Sequence, residues 1–209
     1  MTVERDRRGG WRTIVHWFGM ACLMTATGFA GYIGWSLWGT GLQTAEAQER
    51  LRTEFRQEVE GKPADPATAP DRVPLGNAYA QLEIPAIDVN FMVVQGTSYE
   101  DLKDGPGHYP DTADPWDDTG RVGIAGHRTT YQAPFFDLEG LTRGDAITVR
   151  TKYGTFRYEV EEVFVIPSAG SGRVLTQTPR PTLVLTTCHP KYSSSERLIV
   201  TALRVEASA

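Results

Sequence analysis

Apolar and polar positions follow three different periods along this chain, and each implies a different kind of element. From Ile14 to Trp38, "IVHWFGMACLMTATGFAGYIGWSLW", there is no Asp, Glu, Lys or Arg. A run of about 25 such residues suffices for a tilted helix across a hydrocarbon core of roughly 30 Å. Trp11, Trp17, Trp35 and Trp38 lie near its ends, where aromatic rings favour the headgroup layer. The next stretch, "GLQTAEAQERLRTEFRQEVE", spaces Leu51, Phe55 and Val59 four apart among mixed charges, which suits a short amphipathic helix. "GKPADPATAPDRVPLG" follows, rich in Pro, Ala and Asp, and reads as an extended linker. Residues 39–74 are expected to form a stalk, a solvated spacer.

From about Leu75 the texture changes, and a period of two shows in "TKYGTFRYEVEEV" through Phe156, Tyr158, Val160 and Val163 with imperfect register. "AQLEIPAIDVNFMVV", "GRVGIAGH", "DAITVRTKYGTFRYEVEEVFVI", "TLVLTTC" and "RLIVTALRVE" are short β-branched or aromatic runs broken by Gly, Pro and Asp. A hairpin is expected near Tyr153–Gly154. Helical pieces fit only as short insertions, around Tyr99–Lys103 and Pro134–Leu138. The expected domain, residues 75–209, is mostly β: a small, largely antiparallel closed barrel, because closure removes sticky edges.

Charge fixes an orientation. Arg5, Arg7, Arg8 and Arg12 precede the apolar run, and no Lys or Arg follows it until Arg50. The positive-inside rule then puts residues 1–13 in the cytoplasm, residues 14–38 across the membrane and the remainder outside. A cleavable signal peptide is the competing reading, but its apolar region is shorter, about 7–15 residues. No small-x-small site follows Trp38, so an uncleaved single-pass anchor is favoured. The net charge of −5 argues against a nucleic-acid binder, which carries a basic footprint.

The chain has two cysteines, Cys22 inside the apolar run and Cys188 at the end of "TLVLTTC". With a membrane between them they cannot pair, which leaves Cys188 a free thiol in an exposed compartment. A cysteine nucleophile needs a base and a group that stabilises the developing oxyanion. His189 is adjacent, but neighbouring side chains on a strand point to opposite faces. His127 ends the run "RVGIAGH", and neighbouring strands ending on His and Cys would place both at one barrel mouth. Arg197 opens the strand that returns after the loop "KYSSSE"; its guanidinium stays charged and offers several donors. Each residue also has an ordinary explanation, in packing for Cys188, a turn for His127 and a rim position for Arg197. No metal is implied, since one Cys and scattered His lack ligand spacing. "GPGHYP" and "GSGR" open no clear helix, so a phosphate site is not indicated. No cofactor is expected.

The order "AGHR", "LTTC", then an Arg opening the last apolar strand, all behind an N-terminal anchor, resembles the sortases. "GPGHYP", "AGHRTTY" and "TTCHP" resemble more narrowly the class E sortases of actinobacteria. The likeness spans about Leu75 to Glu206. It implies an eight-stranded β-barrel with short helices, with Cys188 as nucleophile, His127 as acid/base and Arg197 as the groove arginine. It also implies substrate contacts at Tyr109, where class E members carry a tyrosine associated with accepting Ala in place of Pro, and at Thr187 beside the nucleophile. The family's Thr-Leu-x-Thr-Cys is here Val184-Leu185-Thr186-Thr187-Cys188, so one hydroxyl is missing. The implied activity is transpeptidation, in which an LAXTG- or LPXTG-type signal is cut between Thr and Gly through a thioacyl-enzyme. The partners are then sorting-signal-bearing surface proteins and the amine of a lipid-linked peptidoglycan precursor. A cysteine hydrolase that passes the acyl group to water, and a non-catalytic membrane-tethered barrel adaptor, are the alternatives.

Overall fold

The computed structural model describes residues 7–35, 39–59, 64–70 and 73–205. Arg5, Trp38, linker positions 60–63 and 71–72, and the last four residues lie outside them. The chain divides into two compact units, Met1–Gly39 and Thr40–Ala209. In the first, α1 runs from Arg7 to Gly34. Its stretch Gly10–Gly34, 25 residues of mean hydropathy 1.3, is long and apolar enough to cross a membrane.

The second unit is a closed barrel of eight strands. These are β1 (Ala78–Ile84), β2 (Val89–Gln95), β3 (Gly107–His108), β4 (Arg121–Ala125), β5 (Ala146–Thr151), β6 (Gly154–Pro167), β7 (Thr182–His189) and β8 (Glu196–Val205), in the order β1-β2-β3-β4-β7-β8-β6-β5. Most pairs are antiparallel, but β2–β3 and β4–β7 are parallel. Period-two patterning shows clearly in β5, where Ile147, Val149 and Thr151 are buried while Ala146 and Arg150 are exposed. Leu183, Leu185, Leu198, Val200, Val122 and Ile124 point into the barrel core with Phe135 and Tyr158. The β5–β6 hairpin turns at Lys152–Tyr153, as the sequence predicts.

β7 departs from simple alternation. Residues 182–187 are buried on both faces, the mark of a strand covered inside and out. Its neighbour β4 is buried likewise from Val122 to Ala125. Because the two run parallel, with Ala125 opposite Thr186, both come to their C-terminal ends at one rim.

The segment read as a solvated spacer begins with a helix that is docked rather than solvated. α2 (Thr40–Val59) packs Leu51 and Phe55 against Ala78 and Met92. Its Gln48 side chain accepts from Met92 N (2.7 Å) and donates to Met92 O (2.9 Å). β3 is only two residues long and leaves that edge of β2 open, so the amide takes the place of a strand partner. α3 (Tyr99–Asp104) forms where expected, opened by a capping box in which Ser98 and Asp101 bond each other's backbone N–H. The helix expected at Pro134–Leu138 is absent; only a short 3-10 turn, Leu138–Gly140, forms there. The chain enters that stretch through a left-handed backbone at Tyr131, Gln132 and Ala133, which no right-handed helix can continue.

Candidate active site

The rim where β4 and β7 end gathers three side chains singled out from the sequence. Cys188 lies directly opposite Arg197 in the β7–β8 ladder. Gly126 continues β4 by donating its N–H to Thr186 O at 3.1 Å, and Thr187 Oγ1 donates to Gly126 O at 2.7 Å. His127 follows where this pairing ends, at the rim that Cys188 also reaches. Val122, Ile124, Leu183, Leu185, Leu198 and Val200 face inward, so alternation turns Gly123, Ala125, Thr186, Cys188, Arg197 and Ile199 outward. His189 still belongs to β7, and the same alternation turns it away from Cys188.

That outer face is the floor of a groove. A pocket of about 90 Å³ is lined by Tyr109, Leu175, Thr186, Arg197 and Ile199 among others. Tyr109 bonds Thr186 hydroxyl to hydroxyl at 3.0 Å. The opposite wall is the short 3-10 helix Ser171–Leu175, held by Arg121, whose Nη1 donates to Val174 O at 2.5 Å. Gly123 is required on the floor: a Cβ there would lie 2.8 Å from Leu175 Cδ2 and 2.9 Å from Tyr109 Cδ2.

Thr187 is 3% exposed, and its hydroxyl is engaged by Gly126. Its side chain alternates away from the pocket that Thr186 lines, and it ties the Cys188 strand to the His127 strand. Strand alternation in "TTC" contained this distinction.

Electrostatics at the rim are set by burial. His127 is pulled below its ordinary value by loss of solvent, and its Nε2 is buried without a hydrogen-bond partner. The ring lies 4.8 Å from that of Tyr131. Arg197 Nη1 donates to Ser194 O (3.0 Å) and Glu196 O (2.9 Å), which draws the guanidinium along its own loop. Cys188 and Cys22 are both free thiols. Among the described residues no cluster of His, Cys, Asp or Glu could hold a metal ion.

Two further residues stand here that the quoted motifs contain but to which the sequence assigned no role. Arg128, beside His127, is 3% exposed and pairs with Glu139; its Nε and Nη1 have no partner. Burial pulls its guanidinium down, while the charge of Asp137 favours the cation. Lys191 reaches Glu139 at 3.0 Å and Asp137 at 3.3 Å, linking the loop after Cys188 to the loop after His127. Tyr131 is the second.

A closed eight-stranded barrel with a free Cys, a His and an Arg at one rim is an arrangement able to carry acyl transfer through a thiol. The chain matches the Sortase domain over residues 82–205. It is 31% identical over 167 residues to Sortase D of Bacillus subtilis, covering 77% of this chain and 82% of that one. It is 30% identical over 189 residues to Sortase SrtE1 of Streptomyces coelicolor, covering 84% of this chain and 53% of the longer relative. Among solved structures, a Clostridium perfringens Sortase D5 transpeptidase superposes with TM-score 0.68 at 26% identity, covering 77% of this chain and 99% of that one. Sortase E1 of Streptomyces coelicolor, with a tripeptide in its active site, gives 0.58 at 32% identity over 63% of this chain and 90% of that one. The chain belongs to the sortase family and is a cysteine transpeptidase.

Proposed function

We propose that this sortase is held in the cell membrane by α1, with its N-terminus cytoplasmic and its barrel outside. There it cleaves an LAXTG- or LPXTG-type sorting signal between Thr and Gly and transfers the protein to a peptidoglycan amine. The observation that carries the reading is the shared rim: β4 and β7 end, and β8 begins, where His127, Cys188 and Arg197 lie, beside the pocket lined by Tyr109, Thr186 and Arg197. Cys188 Sγ attacks the Thr carbonyl, the C–N bond to Gly breaks, and His127 delivers the proton to the departing amine. The resulting thioester is attacked by the acceptor amine, which gives up a proton to His127 as the new amide forms and the thiol is restored. Arg197 donates to the substrate carbonyl and the developing oxyanion, where a fixed donor is most effective. Burial of His127 favours neutral imidazole in the empty groove, ready to accept the thiol proton.

The class E reading, with Ala favoured over Pro in the signal, rests on Tyr109. Its hydroxyl stands on Thr186 in the groove wall. The tripeptide bound by Streptomyces coelicolor sortase E1 supports a peptide substrate in this groove. Matches to both D- and E-type relatives make the choice of signal an experimental one. The full chain in detergent micelles is offered LAXTG and LPXTG peptides with and without an amine acceptor. The reading requires an amide product that appears only with acceptor, and strong loss of it in His127→Ala and in Arg197→Ala. Release of free acid alone, with acceptor present, assigns a hydrolase instead; no turnover of either peptide argues for the adaptor.

A further inference from the structure

The loop that follows His127 has an unusual backbone. Tyr131, Gln132 and Ala133 have φ of 54°, 60° and 46°, a conformation that side-chain-bearing residues adopt rarely and almost never three in succession. Such a turn persists only where surrounding contacts over-determine it. Here those contacts come from two elements outside the barrel wall. From the first turn of α2, Thr40 Oγ1 accepts from Tyr131 N at 3.4 Å and Gly41 O accepts from Gln132 Nε2 at 3.2 Å. From α3, the Tyr99 hydroxyl meets that of Tyr131 at 3.0 Å, with the rings edge to face at 6.4 Å. α2 also grips the end of α3, since Thr44 Oγ1 donates to Lys103 O (2.9 Å) and Gln48 Nε2 to Asp104 O (2.8 Å).

The turn delivers the Tyr131 ring, 8% exposed, against the imidazole of His127 with centroids 4.8 Å apart and planes at 33°. We propose that Tyr131 is a positioning residue for His127, and that α2, by clamping the left-handed turn at 131–133, is a working part of the active site rather than a spacer. The ring fixes the plane of the imidazole and excludes water from one face. Desolvation of that kind disfavours imidazolium, in keeping with the direction in which His127 is displaced. Of the titratable and charged groups at this rim, Arg128 follows His127 in the chain and Cys188 and Arg197 face each other on β7 and β8; the displacement of His127 itself is set by burial. Behind Tyr131 stand Tyr99, Glu100 and Lys103 of α3. The proposal rests on His127 as acid/base only for its kinetic consequence.

The test uses the full chain in detergent micelles, with the His127 imidazole followed by histidine-labelled NMR and assigned through His127→Ala. Tyr131→Gly removes the ring and suits the positive φ, so the turn is retained. The His127 titration midpoint should rise toward 6.5, and kcat should fall about tenfold with KM changed less than about twofold, the loss expected from a misplaced acid/base. Tyr131→Phe keeps the ring and gives up only the hydroxyl bond to Tyr99, so both properties should stay much closer to wild type than in Tyr131→Gly. Gln132→Ala and Tyr99→Ala, which loosen the clamp from α2 and from α3, should shift the midpoint in the same direction by less. These two also serve as the test if Tyr131→Gly does not fold. An unchanged His127 midpoint in folded Tyr131→Gly, or in both clamp variants, overturns the proposal, even where turnover falls. Full activity of His127→Ala would instead remove the acid/base role and leave the titration measurement to decide the positioning claim alone.

Discussion

Acidification should weaken this barrel through His108, the histidine of "GPGHYP" that has no place in the chemistry. It is 1% exposed, stacked on Tyr79 with centroids 4.1 Å apart. Its Nδ1 lies 2.9 Å from Gln95 Oε1 and its Nε2 3.1 Å from Thr112 Oγ1. Burial pulls its pKa from 6.5 down to about 4. Above pH 6.5 neither the folded nor the unfolded chain binds the proton, and His108 adds no pH dependence. Between 6.5 and about 4 the unfolded chain binds it and the folded chain does not, so stability falls as pH falls. Below about 4 both bind it and the loss is complete. A gap of about 2.5 pH units at about 1.4 kcal/mol each amounts to about 3.5 kcal/mol. Asp114, bonded by the Tyr79 hydroxyl at 2.5 Å, works in the opposite sense. Burial raises its pKa, so it regains some stability as pH falls toward its ordinary value. Subtracting a non-titrating variant removes that contribution. Urea unfolding of residues 40–209 should show wild type losing about 2.5 kcal/mol more than His108→Gln between about pH 7 and 4.5. Parallel curves, within about 0.5 kcal/mol throughout, would refute the linkage argument.

Other consequences can be checked with simpler measurements. Gly126→Ala places a Cβ 2.5 Å from the Phe135 ring; it should cost about 1–3 kcal/mol by overpacking and depress turnover, because Phe135 N bonds His127 O. A thermal melt and a transpeptidation assay read both effects. Gly123→Ala narrows the groove between Tyr109 and Leu175 and should raise KM while leaving alkylation of Cys188 by iodoacetamide unchanged. Leu51→Ala removes a fully buried side chain of α2 and should destabilise residues 40–209 by about 2–5 kcal/mol in urea. A chain starting at Leu75 loses that packing and the Gln48 bonds together, so it should melt far below one starting at Thr40.

Much of this arrangement is written locally in the chain. The apolar run around Ile14–Trp38, the short alternating strands and the breaks at Gly, Pro and Asp each reflect a constraint that acts within a few residues. The positions of Cys188, His127 and Arg197 were legible because each stands at or just beyond a strand end, and strand ends become rim positions once a barrel closes. The docking of α2 was not legible, because Leu51, Phe55 and Val59 specify a stripe but not what covers it. Gln48 reads as a surface residue until β3 proves too short to cover Met92. Tyr131 was hidden for a similar reason: its left-handed backbone is imposed by Thr40, Gly41 and Tyr99, all distant in sequence. Thr187, implied as a substrate contact by the resemblance alone, stands on the opposite face of the strand from Cys188.

The central claim is that Cys188 carries the acyl group. Intact-mass measurement of the full chain mixed with an LAXTG or LPXTG peptide, without acceptor amine, tests it most directly. The account predicts an adduct equal to the peptide up to its Thr, on Cys188, retained in Cys22→Ala, absent in Cys188→Ala and discharged by an added amine. Cleavage of the peptide by Cys188→Ala at the wild-type rate, or an adduct that maps elsewhere, would contradict it.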